Sequence, residues 1–130
     1  MLEHGMFYFA DVDEAFIRMA KNTEGLEDGV LVHYEQCIEK NLKGIIQKKY
    51  GMINEKYNLV KLLEVLYLTD YPEVKRYKSI CRALKDFYQS RRYTSDEYEI
   101  IGKEEYEDYL TAFEGLLSVL KEIRKSIDEN

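Results

Sequence analysis

The sequence predicts an all-α protein, a mostly antiparallel up-down helical bundle of four or five helices forming a single domain over residues 1–130. Three observations carry that prediction. Apolar residues recur at alternating spacings of three and four through most of the chain, which is the mark of one-sided helices. A single proline and seven glycines leave long segments free of helix breakers. The periodic segments are joined by short connections, and short connections between helices make neighbours antiparallel. The twelve tyrosines favour strands by propensity, but they recur at helical spacing, and period decides.

The central element is VLVHYEQCIEKNLKGIIQKKYG, Val30 to Gly51. Val30, Leu31, Tyr34, Cys37, Ile38, Leu42, Ile45 and Ile46 form one buried seam, with Glu35, Glu39, Lys40, Lys43, Lys48 and Lys49 on the other side. Gly51 stands where a left-handed C-cap belongs. Ahead of it, Met6, Phe7, Tyr8 and Phe9 form an apolar lead-in that packs on the bundle. Asp11 is the expected N-cap of a first helix to about Asn22, whose apolar face (Ala15, Ile17, Met19, Ala20) is weak. Thr23 to Gly29 reads as a turn.

Asn58 is a good N-cap for a short helix with Leu59, Leu62, Leu63, Leu66 and Tyr67 on one side. Pro72 opens the next helix at its first residue. That helix carries Val74, Tyr77, Ile80, Cys81, Leu84, Phe87 and Tyr88 inward and Lys75, Lys78, Arg82 and Lys85 outward. TSDEYEIIG reads as a loop, with an N-cap at Ser95 or Asp96. The last helix, about Lys103 to Ile127, places Tyr106, Tyr109, Leu110, Phe113, Leu116, Leu117, Leu120, Ile123 and Ile127 on one face. Acids crowd its first turns and bases its last, matching the helix dipole.

Composition narrows the function classes. There is no apolar run of about 18 residues to span a membrane, and the N-terminus lacks the basic-then-apolar pattern of a secretory signal. Cys37 and Cys81 fall on apolar helix phases, as free thiols of a reducing cytoplasm do. With His4 and His33 as the two histidines and no CxxC or HExxH, no metal site and no cofactor is expected. The net charge of −6 opposes loose nucleic-acid binding, but it is unevenly spread. Between Val74 and Arg92, seven basic residues face one acid, Asp86, a local surplus of six that leaves −12 for the rest of the chain.

That surplus ends at the candidate site. Arg91 continues the apolar phase of Ile80, Leu84 and Phe87, whereas Arg92 extends the basic stripe. An arginine in core phase cannot shed its charge, so it caps the helix, pairs with an acid near Asp96 to Glu99, or holds a ligand anion. Tyr57, Tyr93 and Tyr98 lie outside the helical seams and are the tyrosines free to make contacts; Tyr34, Tyr77, Tyr106 and Tyr109 belong to the core. His33, beside Tyr34 at the seam's edge, is expected to be a satisfied side chain rather than a catalytic one.

Several of these segments resemble a known family. HYEQCIEKNLKGII is similar to the glutamine, Glu-Lys and Leu-Lys pattern of HEPN domains; YNLVKLLEVL resembles the leucine-rich helix that follows it there. LKDFYQSRRYT resembles their arginine-tyrosine element, and the resemblance runs from about Phe7 to Ile127. It implies a helical bundle, usually a homodimer and often linked to a minimal nucleotidyltransferase partner. Many members are toxins or effectors that cut RNA, and others have been proposed to bind nucleotides. The cutting members carry an arginine followed after four to six residues by histidine. Here the window Asp96 to Glu99 has no histidine, and Tyr57 stands where a related version has one. Arg91, Asp96 and Tyr98 match a further pattern, Arg-x4-His-x-Tyr, whose tyrosine the partner enzyme can modify, with aspartate in the histidine position. An aspartate of ordinary pKa, about 4, is a poor proton donor at neutral pH.

The leading expectation is a non-catalytic HEPN-like dimeric binding module with a ligand site at Arg91, Arg92, Tyr93, Tyr98 and Tyr57, taking a nucleotide, an RNA phosphate or a nucleotidyltransferase partner. The alternative is an RNA-cleaving toxin of a toxin–antitoxin pair. A third reading leaves the basic stripe as a solvated face. The dimer is expected to use the last helix, with Tyr98, Ile100 and Ile101 beside it.

Overall fold

A computed structural model describes residues 5–51, 56–84 and 102–128. They form α1 (Met6–Ala20), α2 (Glu27–Tyr50), α3 (Leu59–Tyr67), a 3-10 helix (Pro72–Tyr77) that runs on into helical residues 78–84 (α4), and α5 (Lys103–Asp128). Among the described residues there is no strand. The fold is all-α, as the periodicity predicts. The expected loop over 93–101 and the caps at Ser95 or Asp96 lie outside the described residues.

The seam expected for α2 is buried at every position, from Val30 through Ile46. Gly51 terminates it with φ 76°, its N–H bonding the Gln47 carbonyl at 2.9 Å. The other side of α2 departs from expectation. Glu35, Glu39, Lys40 and Lys43 are half-buried rather than solvated, because α1, α3 and α5 all pack on this one helix. Asn41 is buried outright; its amide donates to the Cys37 carbonyl at 2.9 Å and its oxygen accepts from Arg124 at 3.0 Å.

Helix α1 starts five residues before Asp11, so Asp11 is not its N-cap. Packing overrides the capping signal. The Phe7 ring lies on Gly44 of α2 so closely that a Cβ there would sit 2.5 Å from Phe7 Cε1, and the Arg124 guanidinium lies 4.2 Å from the ring centroid. Asp11 accepts two bonds from Arg124, at 2.8 and 3.2 Å. The buried side of α1 is Ala10, Asp13, Ile17 and Ala20. Ala15 and Met19, read from the sequence as part of its apolar face, point to solvent, Met19 at 82% exposure.

Asn58 caps α3 as expected, its side-chain oxygen accepting the Lys61 N–H at 3.0 Å. Pro72 is the first residue of the following helix, but that helix is 3-10 rather than α over its first six residues. The tighter turn aligns positions i and i+3, so Val74 and Tyr77 both face the core. Cys81 and Leu84 continue inward from α4. Gly115 gives Tyr77 room on α5: a Cβ there would lie 3.0 Å from the Tyr77 hydroxyl.

On α5, Tyr106, Phe113, Leu116, Leu117, Leu120 and Ile123 are buried, and Phe113 stacks on Tyr34 of α2 and on Tyr109. Bridges from Asp11 to Arg124, Glu14 to Lys121 and Lys21 to Glu114 set α1 antiparallel to α5. The pairs Tyr34–Phe113 and Asn41–Arg124 set α2 running in the same direction as α5. Among the described residues, no helix is long and apolar enough to cross a membrane.

Leu84→Ala or Leu117→Ala should each cost about 2–5 kcal/mol in urea melts; losses under about 1 kcal/mol for both would put the buried face elsewhere. Gly44→Ala should cost about 1–3 kcal/mol by driving Phe7 off its seat.

Candidate functional site

Four of the five residues expected at the ligand site, Arg91, Arg92, Tyr93 and Tyr98, lie outside the described residues, as do Lys85 and Asp96. Tyr57 stands 39% exposed on the turn before α3. The described part of the basic stripe is divided between solvent and internal partners. Lys75 and Arg82 are exposed, whereas Lys78 lies 3.6 Å from Glu64. Arg76 bonds the Tyr77 hydroxyl at 2.6 Å and covers its ring.

The densest polar cluster joins α1 to α2. Asp13, 7% exposed, accepts from His33 Nδ1 at 3.1 Å and from Lys40 Nζ at 2.7 Å, one partner on each carboxylate oxygen. His33 and Lys40 are seven residues apart, two turns of one helix face. Phe16 stacks on the His33 ring with centroids 4.4 Å apart. His33 is therefore held on one edge and covered on one face, as the sequence reading expected. Asp13 was not anticipated, although a signal existed: it shares the helical phase of Ala10, Ile17 and Ala20, and an acid in core phase must find a cation.

An imidazole oriented by a carboxylate is the base half of a nucleophilic site. Cys37, one turn along the same helix, does not complete it. Its thiol donates to the Ala10 carbonyl at 3.3 Å, and burial, reinforced by Glu14 and Asp13, pushes it up to about 12. Burial pushes the Cys81 thiol up to about 12 as well. Neither is a thiolate near neutrality. Burial also raises Glu35 above the usual carboxylate range. Among the described residues, no group of three His, Cys, Asp or Glu side chains is placed to hold a metal ion.

A second cluster closes the C-terminal end of α2. Tyr50 donates to Asp70 at 2.5 Å, and Lys49 bonds the Tyr71 hydroxyl at 2.8 Å while lying 3.4 Å from Asp70. The Tyr50 bond, then Lys49, holds Asp70 below its ordinary value. A cavity of about 600 Å³ lies between the α1–α2 turn and the start of α5. Lys21 and Lys103 share its wall with Glu24, Glu27 and Glu107, so it lacks the single-sign field that would hold a phosphate.

The outward side of α1 is apolar. Tyr8, Val12, Phe16 and Met19 stand about half exposed or more, with Ala15 among them. On the flank facing α5, the charges of α1 are engaged: Asp11 with Arg124, Glu14 with Lys121, Lys21 with Glu114.

A family model for the HEPN domain matches residues 14–123, from within α1 almost to the end of α5. The chain belongs to the HEPN domain family, the family that its central helix and leucine-rich segment resemble. No curated protein and no solved structure matches it.

Asp13→Ala should cost about 1–3 kcal/mol in urea melts, because it strips the part-buried His33 and Lys40 of their acceptor. Cys37 and Cys81 should stay unreactive toward a thiol reagent in native buffer and both react in denaturant; rapid native labelling of either would contradict their burial.

Proposed function

We propose that this HEPN protein is a dimeric binding and interaction module that does not cleave RNA. The observation that carries this reading is the state of His33, whose imidazole is clamped by Asp13 and stacked under Phe16 beside a thiol held protonated by burial. The arginine-to-histidine spacing of RNA-cutting members supports it from the other side, since the window Asp96 to Glu99 holds no histidine. General acid–base cleavage at neutral pH needs a group that titrates there within reach of the substrate. The proposed ligand residues are Arg91, Arg92, Tyr93, Tyr98 and Tyr57, with the exposed Lys75 and Arg82 on the described part of the same basic stripe. Two guanidinium forks and a ring suit a nucleotide or an RNA phosphate with a base to stack; a nucleotidyltransferase partner is the protein ligand that the family suggests.

Titration with nucleotides and short RNA should show binding that weakens with added salt and falls at least tenfold in Arg91→Ala/Arg92→Ala, an expected loss of about 1.4 kcal/mol or more. Short RNA incubated with wild type should stay intact. Cleavage by wild type that vanishes in the double variant would replace this reading with an RNA-cutting toxin.

A further inference from the structure

Where α1 and α5 face each other, their ion pairs do not close the interface. A cavity of about 340 Å³ opens between them over Tyr34 of α2, with Ile17 and Leu117 on its inner wall; that volume falls in the range of small-molecule sites. Tyr34 is 3% exposed and its ring stacks on Phe113. Its hydroxyl, however, has no hydrogen-bond partner among the described residues. A buried polar group in that state costs stability until something bonds it. Burial first, and then the Glu114 carboxylate, raises the hydroxyl above the ordinary tyrosine range, so it meets the cavity as an O–H donor.

The charges on the walls define what that donor serves. Arg18, Lys21 and Lys121 stand against Glu14, Glu114 and Glu122, three of each sign. A phosphate meets as much repulsion as attraction there, and so does a bare cation. Nor are the six equally engaged. Glu14 holds Arg18 at 2.6 Å and Lys121 at 3.0 Å. The Lys21–Glu114 pair is longer, 3.4 Å, with the Glu114 side chain half exposed, and a pair of that kind contributes little and is readily opened. We propose that the cavity binds a small zwitterion of the free α-amino acid class, which inserts into the Lys21–Glu114 pair. Its carboxylate accepts from the Tyr34 hydroxyl and from Lys21 Nζ, its ammonium donates to Glu114, and its side chain points toward Ile17 and Leu117. A ligand with both charges leaves Lys21 and Glu114 each facing an opposite charge and gives the buried hydroxyl its acceptor. A ligand of one sign would take the counter-charge from one of the pair. None of these residues is among the ligand residues of the preceding reading, so the two stand or fall separately.

Calorimetric titration of the full chain with each common L-α-amino acid should find at least one that binds. The single-charge probes, inorganic phosphate, acetate and methylamine, should each bind about tenfold more weakly than that amino acid, or not at all. Tyr34→Phe keeps the ring on Phe113 and removes only the hydroxyl; Glu114→Gln, at an exposed position, removes the acceptor of the ammonium. Each should weaken binding by about tenfold or more with the helical circular-dichroism signal unchanged. Melting gives a second readout. Because the hydroxyl lacks a partner, Tyr34→Phe alone should melt at or above the wild-type temperature, and below it once the amino acid is added. If no amino acid binds, or if Tyr34→Phe binds as well as wild type, the proposal is overturned. Phosphate or acetate bound as tightly as the amino acid would make the cavity an anion site, and methylamine a cation site; either result removes the zwitterion. Tyr34→Phe melting well below wild type with no amino acid present would show the hydroxyl already satisfied within the fold, and the premise would be lost.

Discussion

Three helices meet at one guanidinium. Arg124, near the end of α5, donates to both carboxylate oxygens of Asp11 on α1 and to the amide oxygen of Asn41 on α2, and its plane lies over Phe7. An arginine keeps its charge at any physiological pH, so burying it commits the surroundings to supplying acceptors in a fixed fork. That commitment sets the register of α1. With Asp11 bound to Arg124 and Phe7 seated on Gly44, the chain is already helical five residues before the position where local capping chemistry would start it. Further along the same interface, Lys121 and Glu14, then Glu114 and Lys21, continue the pairing.

What the sequence disclosed follows from which forces are local. The seams of α2, α3 and α5 were legible because burial of one face imposes a period on residue type, and Gly51 and Asn58 were legible because caps are made by neighbours in sequence. The start of α1 was not legible, since Phe7 and Asp11 answer to residues more than thirty and more than a hundred positions away. The 3-10 geometry of Pro72–Tyr77 was hidden for a related reason: six residues carry too short a pattern to separate a three-residue repeat from a helical one. Glu35 to Lys43 looked like a solvated face because charge usually marks one, yet a helix with neighbours on three sides has no fully wet side to offer.

The candidate site divides along the same line. His33 was expected to be satisfied, and it is, but its satisfier Asp13 came from another helix and from the apolar phase of α1, where an acid looked like an interruption. The arginine corner was legible only as charge and phase at Arg91 and Arg92. Membership of the HEPN family gives that corner its interest without assigning its ligand. Met19 marks the opposite failure: its helical neighbours suggested the inside, and the packing leaves it outside.

The shared direction of α2 and α5 has a consequence for how the chain comes together. Helices α1 and α2 are joined by a turn of a few residues, so their hairpin closes at small entropic cost and can assemble early. Tyr34 and Phe113, by contrast, touch across most of the chain's length, and a same-direction pair cannot be made by a tight turn at all. The intervening segments must first be spanned, and the loss of chain freedom grows with the length enclosed. Docking of α5 onto the hairpin is therefore the topologically slow event, the step that contact order would make rate-limiting. Until it happens Arg124 lacks Asp11 and Asn41, and the register of α1 rests on its contacts with α2 alone.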